Sequence, residues 1–251
     1  RGIQIIEMIV LETKNLKKHF DGVYAVDDLS IKIEQGKITS VIGPNGSGKT
    51  TLINLLSGML GIDGGVVVVE EAEKLSKIKP HEVSSLGITR TFQTIRLFEQ
   101  MTVLDNILVV LTDRHVFRAI FETHQAFHLK KVEEVLTRVG LWEKRDQLAI
   151  NLSYGQRKLL EIARALAMDS KIYLFDEPFA GLFPEMVKII SGIIKELKGQ
   201  GKTIVLIEHD MGLIRELSDY VFVMDSGKLL AEGRPNEVLA RREVVEAYLG
   251  E

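Results

Sequence analysis

The stretch GPNGSGKT, residues Gly43 to Thr50, decides how the rest of this chain is read. A glycine, four residues and then Gly-Lys-Thr stand between a stretch that reads as a buried strand, KITSVI, and a segment with helical spacing, KTTLINLLSGM. That order is the phosphate loop of nucleotide-binding proteins. Gly43, Gly46 and Gly48, with Pro44, Asn45 and Ser47 between them, let backbone N–H groups curl around phosphate oxygens. The helix that follows, with Thr51 in its first turn, directs its positive end at the same anion. Lys49 is expected to reach the β- and γ-phosphates, and the Thr50 hydroxyl to coordinate Mg²⁺.

In IYLFDE four apolar residues read as a buried strand ending in Asp176, followed by Glu177. Ligands of α/β sheets gather beyond the carboxyl ends of strands. An acid in that place can hold Mg²⁺, directly or through water, which is the part expected of Asp176; Glu177 can polarise the attacking water. Without a phosphate loop the pair would read equally well as solvated turn acids before Pro178. With one, the catalytic reading leads.

Outward from these runs, the chain alternates strands and helices. IVLETKNL and LSIKIEQG alternate apolar and polar residues, which predicts short antiparallel strands near the start. GITRTF, TIVLIE and YVFVM read as further strands with helices between most of them, so the fold class is α/β with a largely parallel, covered sheet. From Gln93 to Ile150 the pattern is helical with no convincing strand. The expected organisation is therefore a core of 8–92 and 151–235, an inserted helical part of 93–150, and a helical tail of 236–251 packed by Val244, Val245 and Tyr248.

The bulk numbers bound the function classes. The chain has 251 residues, 45% hydrophobic and 27% charged, as in an ordinary globular protein of one large domain or a domain with a subdomain. A formal net charge of −3 argues against a dedicated nucleic-acid binder, and no nucleic acid is expected as partner. Zero cysteines remove disulfides, zinc-thiolate sites and thiol catalysis. No run approaches the ~18 apolar residues that cross a bilayer. The opening RGIQIIEMIVLETK lacks the apolar core of a signal peptide. Work at a membrane would need another protein to hold the chain there. No Asn-Lys-x-Asp run is present to recognise guanine.

Several residues stay ambiguous when read alone. NLSYGQRKLLEIARALA, from Asn151, is an ordinary capped helix on its face: Ser153 is a good helix-start residue, and Leu159, Ile162, Ala163 and Leu166 give an apolar side. His209, after the apolar strand IVLI, and Phe20, in KKHF, would by default be structural. His124 and His128 have metal-ligand spacing on a helix with His115 nearby, but no further ligand joins them, so solvated or interface histidines are expected. Phe117, Phe121 and Phe127 default to subdomain core.

The order of these motifs resembles the ATP-binding cassette (ABC) ATPases of transporters over nearly the whole chain from Met8. The resemblance implies a phosphate-loop NTPase fold with a mostly parallel core sheet, an N-terminal antiparallel β part and an inserted α-helical subdomain. The signature of that family, most often Leu-Ser-Gly-Gly-Gln, stands here as LSYGQ. Ser153, Tyr154, Gly155 and Gln156 would then face the γ-phosphate of ATP held by a second subunit, with the Tyr154 side chain turned away. Gln93, in TRTFQT, matches the glutamine that links the Mg²⁺ site to the helical subdomain. His209 matches the switch histidine, and Phe20 the aromatic that stacks on adenine, with Tyr24 as alternative. Phe183, in AGLF, stands where the family usually has Asp or Asn.

TRTFQTIRLFEQMTVLDNI, FDEPFAGLFP and the ending YLGE look most like the branched-chain amino-acid importer ATPases. That branch implies ATP and Mg²⁺ as cofactors and a homodimer or heterodimer of cassettes. It also implies integral-membrane permease subunits docked through 93–150, a solute-binding protein acting indirectly, and a place in the cytoplasm at the inner face of the cell membrane. Urea importers and lipopolysaccharide exporters share much of the same wording, and a non-transport soluble ABC ATPase is the further alternative.

Overall fold

The computed structural model describes residues 8–70, 73–111 and 125–249. These cluster into two units. The first takes in 8–90, 171–177 and 194–249, and the second 91–111, 125–170 and 178–193.

In the first unit, β1 (Ile9–Phe20), β2 (Val23–Leu29) and β3 (Lys32–Glu34) follow one another. β4 (Ile38–Ile42) comes next and leads into α1 (Lys49–Leu56). β5 (Gly64–Val69) and β6 (Glu73–Leu75) return to the first three strands, making an antiparallel sheet ordered β2-β1-β5-β6 with β3 also on β1. The alternating N-terminal sequence has this outcome because only one face of such a sheet is fully covered.

The second sheet joins β7 (Ile88–Arg90), β8 (Ile172–Asp176), β9 (Thr203–Ile207), β10 (Tyr220–Asp225) and β11 (Lys228–Gly233) to β4. Its order is β11-β10-β4-β9-β8-β7, parallel throughout except for the β10–β11 hairpin. Every residue of β4, β8 and β9 is buried. Both faces are covered, so β8 and β9 read as mostly apolar stretches rather than alternations, and β4 buries Thr39 and Ser40 along with its aliphatic residues. Val41 faces a core shared with Leu52, Leu56, Val67 and Phe222, while its neighbour Ile42 faces Ile214, Val221, Val223 and Val238 on the other side. Register sets Val41 beside Ile207, and Ile207 beside Asp176. The carboxyl ends of three strands thus lie side by side, where the phosphate loop, Asp176 and His209 emerge.

The second unit is helical: α2 (Val103–Leu111), α3 (Gln125–Arg138), α4 (Tyr154–Ala167) and α5 (Pro184–Gly199) as far as Ile193. Both α2 and α3 pack on α4. The expected helical part ended at Ile150; in the structure it continues through Ser170. The apolar side of α4 (Leu159, Ile162, Ala163 and Leu166) is buried and finds its neighbours in α2 and α3, which draws the LSYGQ helix into this unit.

The chain continues in the first unit through α6 (Met211–Leu217), α7 (Pro235–Val238) and α8 (Arg242–Leu249). Val244 and Tyr248 pack on the Ile42 side of the sheet. Val245 does not, being 42% exposed: one position along a helix turns a side chain by about 100°, away from the face that Val244 buries. Burial pushes the Tyr248 hydroxyl up to about 12, with the Gly43 backbone N–H acting in the opposite direction.

Candidate active site at the ends of the parallel strands

The phosphate loop has the backbone that its glycines anticipate. Gly43 and Gly48 lie at φ 149° and φ 102°. A Cβ at Gly43 would collide with the Met224 carbonyl oxygen, and one at Gly48 with that of Ala25. Two neighbouring backbones thus approach closely enough to exclude any side chain. Gly48 begins α1 without a side-chain cap, which leaves the first-turn N–H groups to a ligand. Thr50 is exposed and Thr51 half-buried at this end.

Lys49 is 6% exposed and folds back over its own loop. Its Nζ donates to the carbonyls of Gly43 at 2.8 Å and Pro44 at 2.9 Å. Burial lowers its pKa, while the charges of Glu177 and Asp176 raise it. A partly desolvated cation held only by carbonyl and hydroxyl oxygens suits an incoming polyanion.

Asp176 is buried at the last position of β8, and its Oδ2 accepts from Arg90 Nη2 at 2.9 Å. Arg90 also donates to Asn54 Oδ1 at 2.6 Å and Ser57 Oγ at 2.8 Å, tying the end of β7 to α1 and β8. The sequence reading missed Arg90. It stood within the quoted TRTFQT, but 86 residues separate it from Asp176 and no spacing links them.

Glu177 adopts φ 49°, an uncommon conformation for a residue with a side chain. Its backbone N–H donates to Ile207 O at 3.0 Å, which anchors the turn to the end of β9. Its Oε1 lies 2.6 Å from His209 Nε2. His209 is held in turn: its backbone N–H donates to Glu208 Oε2 at 3.1 Å, and Asp210 caps α6 by accepting from the backbone N–H groups of Gly212 and Leu213. The fold thus brings Lys49, Asp176, Glu177 and His209 together from three adjacent strand ends. The hydroxyl of Thr50 and the carboxylate of Asp176 are hard oxygen donors of the kind Mg²⁺ takes, one or two per protein with the rest from phosphate and water.

Phe20 and Tyr24 sit on the β1–β2 hairpin, 45% and 52% exposed. Lys18 Nζ stands 5.3 Å from the Phe20 ring centre, and the His19 ring packs on Tyr24.

The remaining candidates lie in the helical unit. Gln93 is exposed. Ser153 caps α4 in a closed box: Gln156 N donates to Ser153 Oγ at 3.4 Å, and Ser153 N to Gln156 Oε1 at 3.1 Å. Tyr154 is exposed, with its ring beside Gly181. Gly155 is buried, and a Cβ there would strike Met186 Sδ, with its Cε at 2.8 Å. Phe183 is 73% exposed.

His115, Phe117, Phe121 and His124 lie outside the described residues, as does the side chain of Phe127. Among the described residues no group of three or more metal-ligating side chains occurs, and no helix is long and apolar enough to cross a membrane. A cavity of about 520 Å³, lined by Glu70, Lys171 and Lys202, opens at the amino ends of β8 and β9, away from this chemistry.

A parallel sheet with a phosphate loop after β4, and an acid pair at the end of β8 on the far side of β9, defines a phosphate-loop NTPase. Residues 26–180 match the family described as ABC transporter, and residues 228–251 one described as branched-chain amino acid ATP-binding cassette transporter. The chain belongs to the ABC transporter ATP-binding family. It is 38% identical to the high-affinity branched-chain amino acid transport ATP-binding protein LivG of Salmonella typhimurium, over 96% of this chain and 98% of that protein. A nucleotide-free ATP-binding cassette from an ABC transporter superposes with a TM-score of 0.85 at 36% identity, covering 97% of this chain and 100% of that one. A dimeric cassette in a post-hydrolysis state, bound to ADP and phosphate, matches with a TM-score of 0.78 at 25% identity, covering 90% and 98%. The protein is an ATP-binding and ATP-hydrolysing cassette.

Proposed function

We propose that this cassette drives import of branched-chain amino acids through separate integral-membrane permease subunits. It would work as one of two cassettes, identical or homologous, at the inner face of the cell membrane, with a solute-binding protein delivering substrate to the permease. The named transport role of the Salmonella relative and the match over residues 228–251 support the substrate class. The observation that carries the catalytic part is the 2.6 Å contact between Glu177 and His209 at adjoining strand ends.

In this reading the backbone of Gly43 to Thr51 and the Lys49 ammonium bind the phosphates. Phe20 stacks on the base. Mg²⁺, when bound, neutralises charge on the phosphates, and Thr50, Asp176 and Gln93 are the residues that would hold it. Glu177 accepts a proton from the attacking water. His209 orients Glu177 and contacts the γ-phosphate. Ser153 to Gln156 serve the nucleotide of the second cassette.

An exposed apolar patch in the helical unit supports permease docking within 93–150. Phe98, Met101, Leu148 and Ile150 are all at least 38% exposed. Their strands of chain are joined by Ala149 N to Met101 O at 2.9 Å and Ile150 N to Glu99 O at 3.0 Å. Buried Asn106 fixes Phe98 by bonds to both its backbone groups.

The test is reconstitution in vesicles with candidate permeases and solute-binding proteins. Leucine, isoleucine or valine should stimulate ATP hydrolysis and urea should not; the reverse would reassign the solute. Because the chain has no cysteine, Met101→Cys or Ile150→Cys supplies a unique cross-linking point. Permease cross-links there are expected, and cross-links confined to the N-terminal strands would reject the docking geometry.

A further inference from the structure

The α4 helix carries Lys158, Glu161 and Arg164 at intervals of three, along one side. Such a charged row would ordinarily face water. Here Lys158 is 0% and Glu161 5% exposed. Lys158 Nζ donates to Phe92 O at 3.0 Å, and Phe92 N donates to Glu161 Oε1 at 3.0 Å. Lys158 and Glu161 are themselves an ion pair at 3.4 Å. Farther along, Arg164 donates to Arg96 O and lies over the Phe98 ring, while Arg96 stacks on Phe92.

Both backbone polar groups of one residue are therefore held by two side chains of one helix. The Phe92 carbonyl belongs to the planar peptide that joins Phe92 to Gln93. Fixing that oxygen, and the N–H on the other side of Phe92, fixes the direction in which the chain enters Gln93. Burial pushes the Glu161 carboxyl up, and the Lys158 charge and the Phe92 amide pull it back. Apolar side chains would fill the same space with no desolvation cost, so the pair is costly as packing and makes sense as a fixed geometry.

We infer that Lys158 and Glu161 are positioning residues that clamp the Phe92–Gln93 peptide to the LSYGQ helix, so that Gln93 and Ser153 move as one body. This rests on the reading that Gln93 acts at the nucleotide. Ser153 lies five residues before Lys158, about 7.5 Å along the same rigid helix. Displacement of α4 by nucleotide at Ser153 is then transmitted to Gln93 through two side chains.

The test uses the full chain and two readouts. The first is amide hydrogen exchange of a peptide spanning 91–98 without nucleotide. The second is kcat, measured beside the affinity for a fluorescent ATP analogue. Glu161→Ala should speed exchange at 91–98 about tenfold, as expected for a lost hydrogen bond to a charged group, and leave 49–56 unchanged. It should lower kcat about tenfold with nucleotide affinity within about twofold. Glu161→Gln keeps an oxygen for the Phe92 N–H and should restore both readouts. Should Glu161→Ala fail to fold, the double variant Lys158→Met, Glu161→Leu removes the clamp and the buried charges together, and should fold while still exchanging fast.

A mutant cycle supplies the functional arm. In a Gln93→Ala background, Glu161→Ala should cause no further loss of kcat. Unchanged exchange at 91–98 in the double variant overturns the clamp. Losses that add in full overturn action through Gln93. Normal turnover of Gln93→Ala alone rejects the reading of Gln93 at the nucleotide, and the proposal falls with it, while fast exchange in the variants would mark that failure as one of function rather than of contact.

Discussion

Both α1 and α4 begin at small-residue signatures, and their first turns are satisfied in opposite ways. At α1 the N-cap is Gly48 in a left-handed conformation with no side-chain cap, and the nearest cation, Lys49, is occupied by its own loop's carbonyls. At α4 the cap is Ser153, closed against Gln156 in a reciprocal box. An open N-terminus with inward-curling amides is a site in waiting. A capped one is already stable, and yields its donors only by exchange of Ser153 or Gln156 from each other to a ligand. The difference accords with the proposed roles, in which the phosphate loop binds one nucleotide and the LSYGQ end serves the nucleotide of a second cassette.

The largest expected effect lies at the acid that follows β8. Glu177→Gln keeps the shape of the side chain and a partner for His209 but cannot accept a proton, so hydrolysis should fall by roughly 10²–10⁴. Phosphate release beside nucleotide binding is the measurement, and near-normal release would move the base elsewhere. Next comes Lys49→Met, which removes the cation from the open helix end. Turnover should drop by about 10²–10³, as for loss of a donor to developing charge. Circular dichroism should show the fold retained, because the loop's backbone is set by Gly43 and Gly48.

Ser153 separates the two functions of the closed end. Asp caps a helix about as well as Ser, so Ser153→Asp should leave the melting temperature unchanged. It places a carboxylate against the incoming phosphate, and should reduce turnover roughly tenfold to a hundredfold without weakening ATP binding to the monomer. Ser153→Ala should show the converse: about 1 kcal/mol less stability with a smaller loss of activity. If Asp proves harmless to turnover, the LSYGQ end does not meet an anion. Gly155→Asp is a poorer probe, since its side chain would first have to displace Met186 within the helical unit.

The smallest effect is a pH slope. Burial holds the Lys49 ammonium below its ordinary pKa, against the opposing charges of Glu177 and Asp176. Unfolded, it titrates near 10.4. Between the folded value and about 10.4 the unfolded state binds more protons, so stability rises with pH across that window. Urea unfolding should show wild type gaining on Lys49→Met as pH increases toward it. A parallel course for the two proteins would mean that the lysine is not desolvated in the open loop.

The sequence by itself determined the parts whose physics is local. KITSVI specifies a strand, and GPNGSGKT after it a turn only glycine can make and a helix end, and the structure realises all three. Short, mostly apolar stretches without alternation, such as IYLFD and TIVLI, foretell strands covered on both faces, and Ser153 at the head of an amphipathic segment foretells a capped helix. Other facts depended on residues far apart in the chain. Arg90 reaches Asp176, Gly155 lies under Met186, Val245 turns outward, and the LSYGQ helix joins the helical unit instead of the parallel sheet. Nor does helical periodicity alone tell that Lys158 and Glu161 are buried; a charge every third residue looks like a wet face until tertiary packing supplies Phe92 as their partner. Local propensity is written in adjacent residues, whereas the partner of a buried charge is chosen by which surfaces the fold presses together.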